Sequence, residues 1–133
     1  MLDERSKANL LTVNPKLRAV IEKAEEVGKF NIVVTCGFRD EETQNMLFNV
    51  GKSKLKWPKS DHNYLLDGVP YSNAVDLAFK PVNWHNINLW HYFAGFILGV
   101  SYAMGTPFQW GGDFDNDNIL TDDDYCHFAL IEK

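Results

Sequence analysis

The run Ala74-Val75-Asp76-Leu77-Ala78-Phe79 is apolar throughout except for one carboxylate near its middle. Side chains alternate along an extended strand, so Val75, Leu77 and Phe79 share one face and Asp76 shares the other with Ala74 and Ala78. Such a strand needs a core on the first face. On the second, the two alanines leave room beside the carboxylate for an ion and its other ligands. Pro81 ends the run.

The elements around this strand follow from local signals. Asn14 can cap a helix, Pro15 suits its first turn, and Gly28 sits where a left-handed terminal residue belongs. Between them Leu17, Val20, Ile21, Ala24 and Val27 recur at helical spacing. Asn31 to Cys36 reads as a strand ended by Gly37, and Asp40 as the cap of a helix running to about Val50, where Gly51 stops it. The segment 51–73, with Pro58, Gly68, Pro70 and the lysines Lys52, Lys54, Lys56 and Lys59, reads as a long loop. An apolar helix starts near Asn86 or Asn88 and ends at Met104. Its Gly95 and Gly99, four apart, predict close approach of another element. Phe108 to Trp110 forms a short strand, 111–124 an acidic loop, and Tyr125 to Ile131 a last strand. This mixture without a βαβ rhythm predicts an α+β fold with a small sheet against helices, in a single domain over 1–133.

Composition narrows the function classes. Thirteen basic against 18 acidic residues give a net charge of −5, which argues against a nucleic-acid partner. No apolar stretch approaches the roughly 20 residues of a membrane span, and no signal peptide is visible at the N-terminus. Cys36 and Cys126 read as two buried thiols from a reducing cytoplasm, not as a disulfide.

His62, Asp76, Asp124 and His127 are the residues suited to a metal site. A catalytic zinc takes three protein ligands from His and carboxylate and keeps a fourth position for water. His62, Asp76 and His127 would supply that set, with Asp124 nearby as a base. In the last strand His127 points with Ala129 and Ile131, so its neighbour Cys126 is directed into the core. Asp124 has the wrong parity to lie beside His127 and must reach in from the preceding turn. Read one at a time, each of these residues has an ordinary structural explanation, and Arg39 alone reads as a surface arginine opposite Asp40, Glu41 or Glu42.

Four stretches change that balance when taken together. They are Cys36-Gly37-Phe38-Arg39 with Gln44, Ser60-Asp61-His62 followed by Ala74-Val75-Asp76, Trp110-Gly111-Gly112-Asp113-Phe114, and Asp124-Tyr125-Cys126-His127-Phe128. In this order, from about Thr35 to Leu130, they resemble the zinc D-alanyl-D-alanine carboxypeptidase and L-alanyl-D-glutamate peptidase family, most closely its phage endolysin branch. The resemblance implies a hedgehog/DD-peptidase-like zinc fold, Zn²⁺ held by His62, Asp76 and His127, and Asp124 as catalytic carboxylate. It also implies that a water made nucleophilic by zinc attacks the peptide carbonyl with Asp124 as general base, and that Arg39 contacts a substrate carboxylate or carbonyl. Two features depart from the family pattern: the link from Asn63 to Val75 is long, and Ala129 stands where many relatives carry Glu.

The expected activity is cleavage of peptidoglycan stem peptides at the L-Ala–D-Glu bond by a monomeric lysin. It would be made in the host cytoplasm and reach the wall through another factor such as a pore-forming holin, without a separate wall-binding domain. Alternatives are a D-Ala-D-Ala carboxypeptidase or dipeptidase with the same site, and a non-catalytic zinc or peptidoglycan-binding module. Asp113, Asp115 and Asp117 alternate like the first ligands of a calcium loop, with Asp124 at the twelfth place, so Ca²⁺ is a second candidate ion there; a solvated acidic loop is the plainer reading. Of Trp57, Trp84, Trp90 and Trp110, the matched segment places Trp110 near the site.

Overall fold

The computed structural model describes residues 1–113 and 124–132. Its chain order is α1 (Glu4–Leu10), α2 (Pro15–Val27), β1 (Asn31–Cys36), α3 (Glu41–Asn49), a single 3₁₀ turn (Asp61–Asn63), β2 (Leu65–Leu66), β3 (Val69–Pro70), β4 (Ala74–Lys80), α4 (Ile87–Ala103), β5 (Phe108–Trp110) and β6 (His127–Leu130). The strands β1, β4, β6 and β5 lie in that spatial order in one antiparallel sheet, and β2 and β3 form a separate hairpin. The α+β reading holds.

Alternation organises the sheet as expected. Val75 pairs with Phe128, Leu77 with Val34 and Phe79 with Ile32, and all of these side chains are buried in the core. The α2 stripe Leu17, Val20, Ile21 and Ala24 and the α4 residues Trp90, Phe93 and Ile97 join them there. The caps are those the sequence offered. Asn14 accepts from Lys16 N–H at 3.0 Å and Asp40 from Thr43 N–H at 2.8 Å.

Three local readings need correction. Gly95 and Gly99 face open space with no atom near a hypothetical Cβ, so they mark no close approach. The segment 51–73 is not all loop: it holds the 3₁₀ turn and the β2–β3 hairpin, whose Asp67 and Gly68 take positive φ of 52° and 78°. The last strand is shorter than expected because His127 N–H turns back to Asp124 O at 3.2 Å and Gly111 N–H to His127 O at 2.7 Å. Helix α1 was not foreseen. It is capped by Asp3, packs along β1, and lends the Ser6 hydroxyl to Val34 N–H at 2.9 Å.

The two cysteines are unbridged, as expected, but half-buried instead of fully enclosed. No helix among the described residues is long and apolar enough to cross a membrane.

Candidate metal centre

Strand β4 carries Asp76 in the middle of the sheet, directly opposite His127 on β6 and Cys36 on β1. Cross-strand partners in an antiparallel ladder point to the same face, so Asp76 and His127 are side by side by register alone. Ala74 faces Ala129 two pairs further on, so the side chains next to this pair on the same face are small. Cys36 reaches the Asp76 position only because a bulge between Val34 and Cys36 shifts the β1 register.

His62 arrives from outside the sheet, on the 3₁₀ turn. Ser60 and Asn63 cap that turn reciprocally, and Asn73 N–H ties it to the entry of β4 by donating to Asp61 O at 2.9 Å. The imidazole is 1% exposed. Its Nδ1–H donates to Gly37 O at 2.7 Å, so whenever the ring is neutral the lone pair is on Nε2 and turned inward. Gly37 must come this close to α1: a Cβ there would meet Thr12 Oγ1 and, at 2.6 Å, Asn9 O.

The two rings lie with centroids 5.2 Å apart at 63°, and both aim nitrogens at one oxygen. His62 Nε2 is 3.4 Å and His127 Nδ1 is 3.6 Å from Asp76 Oδ1. The His62 contact misses hydrogen-bond geometry, so Nε2 is a buried nitrogen without a hydrogen-bond partner. An orphaned lone pair, a second imidazole and a carboxylate oxygen converging on one point fit a divalent cation of the zinc type, for which this donor set is typical.

Asp76 Oδ2 is taken by Arg39, whose Nη2–H donates to it at 3.0 Å. Arg39 Nη1 reaches Gln44 Oε1 at 3.4 Å, and the same oxygen accepts from Asn63 Nδ2 at 3.2 Å. Gln44 and Asn63 are both buried, so a closed polar network joins the arginine, α3 and the histidine turn. Asn63 was missed in the sequence; its signal was the Ser60-to-Asn63 spacing of a reciprocal cap. Arg39 orients the carboxylate and leaves Oδ1 for the gap between the imidazoles.

The electrostatics describe the metal-free site. Burial would raise the Asp76 carboxyl, but the close approach and charges of His127 and His62 outweigh it and hold it well below the usual carboxylate range. Burial would lower His62, but the adjoining Asp76 carboxylate, and to a lesser degree the Cys36 thiol, lift it to about 9. The bond to Cys36 is a 4.0 Å contact at Nδ1, so the nearby carboxylate is the substantive cause.

Asp124 comes in from the turn before β6, as its parity required. Its N–H donates to Gly111 O at 3.2 Å, and its carbonyl lies where a Cβ on residue 111 would stand. Only glycine permits that approach. Trp110 holds the same turn, its Nε1–H donating to Tyr125 O at 2.9 Å and its ring stacked on Tyr125. Asp124 is exposed as a residue, yet enough protein surrounds its carboxyl for desolvation to raise its pKa. The Asp76 charge raises it further, against His127, His62 and Arg39. Gly111→Ala is therefore expected to destabilise the fold by about 1–3 kcal/mol and to depress turnover with the metal retained, checked by thermal melting beside metal analysis.

Cys36, His62 and Asp76 form a second group that could hold a metal. The Cys36 sulfur lies at the Nδ1 edge of His62, and Nδ1 is committed to Gly37 O. The free lone pair is on Nε2, toward His127. A third donor thus has two candidate positions, His127 at the Nε2 side and Cys36 at the Nδ1 side. Cys126 sits half-buried on the core side, its thiol pushed up to about 12 by burial and by the charges of Asp76 and Asp124, and is no candidate ligand. Of the calcium expectation, Asp115 and Asp117 lie outside the described residues, and Asp113 is buried and engaged within the protein.

A family model described as phage L-alanyl-D-glutamate peptidase matches residues 1–130. No curated protein matches the chain. Among solved structures the chain is similar to the L-Ala D-Glu endopeptidase ChiX of Serratia marcescens, at 25% identity and a TM-score of 0.74 over 98% of this chain and 90% of that one.

Proposed function

The chain belongs to the phage L-alanyl-D-glutamate peptidase family, and from that premise we propose that it is a zinc peptidase in which His62, Asp76 and His127 hold the metal and Asp124 carries the proton. It is a peptidoglycan hydrolase of the L-alanyl-D-glutamate type. The observation that supports the ligand set is the buried His62 Nε2 without a partner, aimed with His127 Nδ1 at the same oxygen of Asp76.

Zinc held there supplies Lewis acidity and makes water a nucleophile near neutral pH. The residues do the rest. Asp124, on a turn pinned by Gly111 and Trp110, takes the proton of the attacking water on its carboxylate and passes it to the amine of the leaving D-glutamyl residue. Arg39 and Gln44 keep Asp76 from rotating, so the donor set is preorganised. Digestion of purified peptidoglycan, with the new termini read by mass spectrometry, tests the bond: new N-terminal D-Glu is expected, and released D-Ala would overturn the reading.

The titration of the metal-free site gives a second test. The folded pKa of His62, about 9, lies above its ordinary 6.5, so its contribution to stability is complete below 6.5 and lost as pH rises through 9. The folded pKa of Asp76 lies below 3.8, so its contribution is present above 3.8 and lost on acidification. With chelator present, Tm should fall between pH 6.5 and 9. With saturating zinc the trend should reverse over that window, because the metal competes with the proton on Nε2. Parallel Tm curves with and without zinc would count against the ligand assignment.

A further inference from the structure

We propose that the β2–β3 hairpin and the lysines beside it dock onto an anionic phospholipid surface, the chain lying on the bilayer without crossing it. The interaction is independent of the peptidase chemistry. It rests on unpaired positive charge gathered next to an apolar face that no other part of the core covers.

The segment 50–71 carries Lys52, Lys54, Lys56 and Lys59 against Asp61 and Asp67, whereas the rest of the chain has nine basic against 16 acidic residues. Elsewhere Lys7, Arg18, Lys23, Arg39 and Lys80 each pair with an acid. The four lysines of the segment, and Lys16, are exposed and make no ion pair among the described residues, while Asp61 is engaged within the protein. Lysine heads are compact charges suited to headgroup phosphates. A chain of net charge −5 is repelled by an anionic membrane over most of its surface, so this region decides which side approaches.

The hairpin supplies the apolar half. Leu66 pairs with Val69, and Tyr71 N–H donates to Tyr64 O at 3.0 Å, so alternation puts Tyr64, Leu66, Val69 and Tyr71 on one face. Leu66 is 43% and Val69 60% exposed, and neither belongs to the core. Lys16 and Lys59 line one cleft with Tyr64, Leu66 and Tyr71, so the charge borders this face directly. The two tyrosine rings, 6.1 Å apart, carry the apolar body and polar tip that suit the headgroup level. A phosphate polymer in water would satisfy the lysines and leave Leu66 and Val69 wet. A bilayer satisfies both, because surface binding grows with buried apolar area and with attraction to anionic lipid.

The test is co-sedimentation of the full chain with vesicles of phosphatidylcholine alone or mixed with an equal share of phosphatidylglycerol. Binding to the mixed vesicles should be at least about tenfold tighter than to phosphatidylcholine, and raising salt from about 0.1 M to about 1 M should remove that preference. Substituting Lys52, Lys54, Lys56 and Lys59 by Gln should lower affinity for the mixed vesicles about 100-fold. Leu66→Ser/Val69→Ser, which leaves the charge alone, should lower it about tenfold with Tm and hydrolysis of a soluble peptide unchanged. Equal binding to both vesicles, no binding to either, or binding that survives the lysine substitutions overturns the proposal. So does a poly(glycerol phosphate) affinity equal to that for the mixed vesicles together with indifference to the Leu66 and Val69 substitutions, which would make the patch a site for polymer phosphate. Because binding is read without turnover, its outcome is separate from that of the peptidase reading.

Discussion

Asp124→Asn is expected to lower kcat on peptidoglycan by about 10²–10⁴-fold while the protein still binds its metal stoichiometrically. The size follows from the role: an amide keeps the shape of the side chain but can neither take the proton of water nor return one to an amine. The metal stays because Asp124 is not among the three converging donors. The turn survives because it is held through backbone atoms, Asp124 N–H on Gly111 O and His127 N–H on Asp124 O, together with the Trp110–Tyr125 stack. Turnover by the variant within a few-fold of wild type would remove Asp124 from the mechanism. Turnover and metal content must be read on the same sample, since loss of both would report a collapsed site.

How legible this site was differs from residue to residue. The Asp76–His127 pair was legible because strand alternation is a local rule, and the register of β4 against β6 satisfied it. That Asp124 comes from a turn followed from the same parity. His62 was legible only through its motif: no local rule tells a buried histidine on a 3₁₀ turn from an ordinary core histidine. Its position depends on Gly37 and Asn73, 25 and 11 residues away. The role of Gly111 was equally hidden, since a glycine required by another segment's carbonyl looks like any loop glycine. The β2–β3 hairpin did leave a sign in Asp67-Gly68, a favoured two-residue turn. Its strands are two residues each with exposed leucines, too short to show a period. Arg39 was legible through its motif alone, and its pairing with the Asp76 carboxylate, between the segment after β1 and β4, is one that spacing does not reveal.

The identity of the third donor is decided by comparing His127→Ala with Cys36→Ala. If the metal sits between His62 Nε2, Asp76 Oδ1 and His127 Nδ1, removing His127 should weaken zinc binding by more than the about 10–100-fold typical of outer partners. It should abolish hydrolysis at ordinary zinc concentrations. Cys36→Ala should leave zinc affinity little changed, because the thiol stands at the Nδ1 edge of His62, where the ring already bonds Gly37 O. Cobalt substitution supplies a readout independent of turnover: a cobalt-loaded wild type should lack the near-ultraviolet absorption of a thiolate–metal bond. The opposite pattern would assign the ion to Cys36, His62 and Asp76. Such a site would draw one ligand each from β1, the histidine turn and β4 and leave His127 outside. Asp124, on the turn next to His127, would then sit farther from the reacting centre, and the proton transfer assigned to it would lose its geometric basis. The ligand test is thus also a test of the catalytic assignment.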